Sequence, residues 1–104
     1  MVKQQAYDLA DIVGKEMLAH EVRSMLTEVG DALVGLEEKR FSASEIEKAL
    51  RGVAEAREVE LKQIVRPLRV IFGSHGVYEA MASLGRERVV RLVRGAVVAL
   101  GDRA

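Results

Sequence analysis

The sequence predicts an all-α fold, a small bundle of six helices in one domain, and three observations predict it. Apolar residues recur at three- and four-residue steps along most of the chain, no segment alternates apolar and polar as a half-buried strand does, and glycines punctuate the periodic stretches. With 104 residues, 49% of them hydrophobic and 31% charged, the chain has the size of one domain with a packed core under a solvated shell. That domain is expected to span residues 1–104, with 1–40 as its N-terminal helices and 41–100 as the remainder.

The first helix is expected over 2–13, on the weak stripe Tyr7, Ala10 and Val13, with a break at Gly14. The strongest helix signal runs from Lys15 to Arg40. There Leu18, Val22, Met25, Leu26, Val29, Leu33 and Leu36 form one stripe, and Glu21, Arg23, Thr27, Glu28 and Asp31 occupy the wet side. At Phe41 the start signals of a third helix coincide. Ser42 can cap, Glu45 stands at the capping-box position, and Phe41 can staple onto Ile46. This helix buries Ile46, Leu50, Val53 and Ala54 and ends between Arg57 and Leu61, where no stop residue stands. A fourth helix carries Ile64, Val65, Leu68 and Phe72. Starting near Gln63, it would hold Pro67 in its first turn, where the missing N–H has no partner to lose. Gly73-Ser74-His75-Gly76 reads as a turn, Val77, Met81 and Leu84 as a short fifth helix ending at Gly85, and Val89, Leu92, Val93, Ala96, Val97 and Leu100 as the stripe of the sixth. The expected core includes Leu26, Leu33, Leu50, Leu68, Leu84 and Val93.

Composition narrows the function. Without cysteine there is no disulfide, no thiol chemistry and no Cys-ligated zinc, which fits a cytoplasmic protein. The start of the chain lacks the basic head and apolar run of a signal peptide, and no stretch approaches the ~20 apolar residues of a membrane span. No membrane partner is expected. His20 and His75, the two histidines, lack the i+4 partner of a helical metal site, so no metal is expected. Neither G-x-G-x-x-G nor G-x-x-x-x-G-K-[ST] occurs, so the chain lacks an amide-lined phosphate cradle. The acid pairs Glu37-Glu38 and Glu58/Glu60 lie in charged stretches and read as solvated faces. No catalytic residue and no cofactor are expected.

The zero net charge conceals a segregation. Residues 1–60 carry 8 Lys or Arg against 13 Asp or Glu, and residues 61–104 carry 8 against 3. A polarised domain can offer phosphate a basic face whatever its total charge. Within the basic half, Arg88, Arg91 and Arg94 stand at three-residue steps on the last helix, and Glu87 precedes Arg91 by four. Arg can grip phosphate bidentately or stack on an unpaired base. The same residues also suit a solvated outer face with one i, i+4 ion pair.

Residues 41–100 resemble the C-terminal anticodon-binding domain of bacterial glutamyl-tRNA synthetases. The family's aromatic-S/T-A-x-x-[IL]-E-x-A-L-[RK] is matched by Phe41-Ser-Ala-Ser-Glu-Ile-Glu-Lys-Ala-Leu-Arg51, and its P-L-R-[VA] by Pro67-Leu-Arg-Val70. Its L-F-E-[VI]-L-x-x-L-G-[KR]-E-R-[VA] is matched by Val77-Tyr-Glu-Ala-Met-Ala-Ser-Leu-Gly-Arg-Glu-Arg-Val89. Residues 15–40 resemble the preceding helix of that family more loosely. The resemblance implies a helical domain that packs against a tRNA anticodon stem-loop, with glutamate tRNA as its partner. By position it selects Arg69 and the loop Gly73, Ser74, His75 and Gly76 as near the anticodon bases. The family loop is longer, with an L-T-G and a proline that are missing here.

Arg66, Arg69, Gly73, Ser74, His75, Arg88, Arg91 and Arg94 are therefore the candidate RNA-binding residues. The H-I-G-H-like and K-M-S-K-S-like activating motifs of the family are absent from the sequence. The expected function is a non-catalytic tRNA-binding module, either a domain of a longer synthetase or a free-standing relative that partners a synthetase catalytic domain or another protein. The alternative is a helical interaction or oligomerisation module that kept the fold without the RNA.

Overall fold

In a computed structural model, which describes residues 9–14 and 17–103, the chain forms six α-helices and one 3-10 turn. These are α1 (Leu9–Val13), α2 (Ala19–Val34), the turn Glu38–Arg40, α3 (Ala43–Arg57), α4 (Leu61–Phe72), α5 (Val77–Leu84) and α6 (Arg86–Arg103), with no strand among the described residues. The all-α expectation holds. The expected beginning of the first helix, with Tyr7, lies outside the described residues. Within them the register differs, because Ile12 is buried while Ala10 is exposed.

The helix expected over 15–40 is shorter at both ends. Leu18 is the extended residue before α2, 61% exposed, and its N–H donates to Glu21 Oε1 at 2.9 Å, so it caps the helix instead of joining the stripe. The other end stops at Gly35, and the remainder tightens into the 3-10 turn. Between these ends the stripe behaves as its spacing predicts, with Val22, Met25, Leu26, Val29 and Leu33 buried. It lies against α6, which runs antiparallel to α2. Arg86 at the start of α6 reaches the end of α2, and Gly101 near the end of α6 lies beside Arg23 near the start of α2. Val89, Val93, Ala96 and Leu100 of α6 are buried in that contact. Leu92, counted on the stripe, is 39% exposed.

Ser42 caps α3 as expected, its Oγ accepting from Glu45 N at 3.4 Å. The return half of the capping box is missing, because the Ser42 N–H is already bonded to the Arg40 carbonyl and Glu45 pairs with Lys48. Ser42→Ala should therefore cost about 1 kcal/mol, the usual loss of a single cap. Coincident denaturant midpoints for the two proteins would show that the cap contributes nothing. At its far end α3 stops on Glu58, which takes a left-handed conformation (φ 58°) so that the Val59 N–H can reach back to Ala54 O. A six-to-one closure of this kind usually uses glycine, which is why the sequence carried no stop signal here.

α4 begins two residues earlier than expected, at Leu61, where the Glu60 N–H donates to Gln63 Oε1 at 3.1 Å. Pro67 is consequently its seventh residue and not in its first turn, and the hydrogen bond to the Gln63 carbonyl is lost. The helix survives because Ile64, Val65 and Leu68 on either side of the proline are buried, and Pro67 is buried with them. In α5, Val77 and Met81 enter the core. Leu84, expected in the core, is 36% exposed, since α5 is only eight residues long and the chain turns away at Gly85 directly after it. Leu26, Leu33, Leu50, Leu68 and Val93 are all fully buried.

Candidate nucleic-acid interface

The arginines of the basic half divide by what their guanidinium groups already hold. Arg66 bridges from α4 to the end of α1. Its Nη1 donates to Asp11 O at 2.8 Å, and its Nη2 to Ile12 O at 2.6 Å and Val13 O at 2.8 Å. These are carbonyls that the helix itself leaves without donors, at the negative end of its dipole. Gly14 makes room for this contact. Its φ is +73°, and a Cβ there would lie 2.5 Å from the Arg66 guanidinium carbon. Arg86 serves α2 in the same way, with Nη1 donating to Leu36 O at 2.8 Å. Arg66 was selected as a candidate RNA-binding residue, and the structure gives its side chain a cap to hold.

On α6, Arg91 lies 4.0 Å from Glu87, and Arg94 lies 3.5 Å from Asp31 of α2. Both pairs are solvent-exposed, which makes them weak and easily exchanged for another anion. Arg88 is exposed with no ion-pair partner among the described residues. The helical period spreads Arg88, Arg91 and Arg94 over about 120° of α6, so they face outward as a fan and not as a single row. Arg91 and Arg94 edge a groove of about 630 Å³ between α6 and the end of α2, in which Glu38 and Glu87 also stand.

Arg69 occupies the last turn of α4, exposed and with no ion-pair partner among the described residues. Its own carbonyl accepts the Gly73 N–H at 2.9 Å, which ties the start of the Gly73–Gly76 loop directly to it. Ser74 and His75 are exposed on that loop, and Gly73 (φ 104°) and Gly76 (φ 62°) hold its corners in conformations that favour glycine. The structure thus brings Arg69, Gly73, Ser74 and His75 together at one end of α4, while Arg88, Arg91 and Arg94 lie on a separate helix.

Sequence reasoning passed over Tyr78, two residues past the loop. Burial pushes its phenol above the ordinary value, the Glu47 carboxylate adds to that rise, and Arg51 and Arg69 pull against it. An aromatic side chain therefore sits within the electrostatic reach of two arginines beside the loop, and Glu47 holds Arg51 through bonds of 2.7 and 3.2 Å. The signal available was the single aromatic following the loop. Lys62 and Gln63 were also passed over. With Arg66 and Arg69 they line a groove of about 290 Å³ along α4, and the i, i+4, i+7 spacing of Lys62, Arg66 and Arg69 was legible.

Among the described residues no group of three or more His, Cys, Asp or Glu could hold a metal ion, and no helix is long and apolar enough to cross a membrane. The fold and the exposed cationic groups define a small all-helical domain whose polar chemistry is that of arginines on helix faces and one glycine-bounded loop.

The chain belongs to the anticodon binding domain family, whose model matches residues 1–97. It is 34% identical over 87 residues to glutamate–tRNA ligase 1 of Syntrophus aciditrophicus (strain SB), covering 80% of this chain and 18% of that protein. It is 30% identical over 76 residues to glutamate–tRNA ligase 1 of Sphingopyxis alaskensis (strain DSM 13593 / LMG 18877 / RB2256), covering 69% of this chain and 16% of that protein. The chain thus spans less than a fifth of either relative. No solved structure is significantly similar to it.

Proposed function

We propose that the chain is a non-catalytic module that binds the anticodon stem-loop of a tRNA, glutamate tRNA in the first place, in the cytoplasm. The observation that carries this reading is Arg69. It stands exposed and without an ion-pair partner among the described residues, at the position that the P-L-R resemblance selects, and its backbone anchors the loop that presents Ser74 and His75. In this reading Arg69 and the loop Gly73–Gly76 meet unstacked bases, while Arg88, Arg91 and Arg94 hold phosphates.

Titration of labelled tRNA at several salt concentrations tests it. Affinity should fall linearly on a log–log plot against salt, and Arg88→Gln should weaken all RNAs alike while flattening the slope by up to about one unit. Arg69→Ala should instead narrow the preference for glutamate tRNA over other tRNAs by ~1 to 3 kcal/mol. A uniform loss across tRNAs would make Arg69 a phosphate contact.

One observation favours the interaction-module reading. Arg91 and Arg94 already have carboxylate neighbours, and the same helix exposes Leu92 and Val98. Absence of tRNA binding at low salt would decide for that reading. The isolated chain is also expected to give no ATP–pyrophosphate exchange with glutamate, and measurable exchange from rigorously purified protein would overturn the non-catalytic assignment.

A further inference from the structure

The groove along α4 has three cationic side chains in its walls, Lys62, Arg66 and Arg69, together with Gln63 and Met17, and no carboxylate lines it among the described residues. The three cations occupy positions i, i+4 and i+7 of one helix, a row about 10 Å long at 1.5 Å per residue. One nucleic-acid strand in a helical stack advances about 3.4 Å per nucleotide, so a row of this length spans about three nucleotide steps.

Each member of the row retains something to offer an anion. Arg66 is bonded to three carbonyl oxygens and no carboxylate, so its charge is oriented but not neutralised. Gln63 uses Oε1 to accept the Glu60 N–H, which fixes the side chain and leaves its Nε2 to donate outward. Lys62 faces Glu60 at 3.4 Å, but both side chains are largely in solvent, at 81% and 72% exposed, and such a pair yields readily to a phosphate. Arg69 has no ion-pair partner among the described residues and ends the row at the Gly73–Gly76 loop.

We propose that this ridge of α4 is a track for the sugar-phosphate backbone of single-stranded RNA. Lys62 and Gln63 are its outer phosphate contacts, Arg66 is its fixed central charge, and the direction of the row delivers the following bases to the loop at residues 73–76. The proposal rests on the RNA-binding reading above and adds to it two contact residues and the line along which the strand approaches the loop.

The test is fluorescence anisotropy with the full chain, titrating glutamate tRNA, an RNA hairpin with a single-stranded loop, and a blunt RNA duplex without unpaired bases. Lys62→Gln removes a charge from an almost fully exposed side chain, so its melting temperature should match the parent's. It should raise the Kd for tRNA and for the hairpin by roughly threefold to tenfold at low salt and flatten the log–log salt slope by about 0.7, the value for one single-strand phosphate contact. Lys62→Glu should raise the Kd further, and the blunt duplex should be bound more weakly and be little affected by either change. If Lys62→Gln leaves affinity and slope unchanged while Arg69→Ala or Arg88→Gln weakens binding, the track is overturned and the RNA reading stands. An equal loss on the blunt duplex would overturn the single-strand assignment. Failure of the parent protein to bind any of the three RNAs at low salt would overturn both.

Discussion

Leu26→Ala is expected to lower the stability of the chain by about 2 to 5 kcal/mol, the largest effect anticipated for any single substitution considered. Leu26 is fully buried in the middle of α2, with Met25 and Val29 buried beside it and the valines of α6 packed across the same face. Truncation removes the transfer free energy of the lost carbons and leaves a cavity that two helices already in contact close only in part. A domain of this size has a total stability of roughly 5 to 15 kcal/mol, so the change consumes a large fraction of it. Urea denaturation of parent and variant measures it, with Leu84→Ala as the comparison. Leu84 is 36% exposed, and its truncation should shift the midpoint far less. An unshifted midpoint for Leu26→Ala would remove that residue from the core.

Arg66→Ala should have the next largest effect, a loss of about 2 to 4 kcal/mol. The substitution deletes three charge-assisted hydrogen bonds to the carbonyls of Asp11, Ile12 and Val13. A hydrogen bond to a charged group contributes ~1.5 to 3 kcal/mol, but these three share one guanidinium and their carbonyls are exposed or only part-buried, so water regained on truncation keeps the loss well below their sum. Ile12, fully buried at the end of α1, depends on that anchor to stay in place. Arg66→Lys keeps the charge but replaces the planar fork with one point donor, so it should restore only part of the loss. Hydrogen exchange locates the effect. Protection should fall first at residues 12–14, and unchanged protection there in the alanine variant would show that α1 is held by apolar contacts alone.

How much of the molecule was legible follows from the range of the forces involved. The stripes of α2 and α6 were readable because helical period is a local property, and five of the six core residues expected from it are fully buried. Leu84 was misplaced since spacing says which way a side chain faces and not whether a neighbour covers it. Pro67 was misplaced because its tolerance depends on where α4 starts, and the cap at Glu60 and Gln63 carried no strong sequence signal. The loop at residues 73–76 was legible from its two glycines, both of which take positive φ.

The sequence by itself determined the all-helical class, the spacing of the core positions, the Ser42 cap, the glycine-bounded loop and the resemblance that selected Arg69. Only the tertiary structure decided what each arginine does. Arg66 and its acceptors are 53 to 55 residues apart in the chain, and Arg86 and Leu36 are 50 apart. Residues so distant meet only after the helices have packed. A row of identical guanidinium groups in sequence therefore becomes two helix caps, two loosely paired surface charges and two groups, Arg69 and Arg88, free to meet an anion, because hydrogen-bond partners are assigned by proximity in space and period is assigned by proximity along the chain.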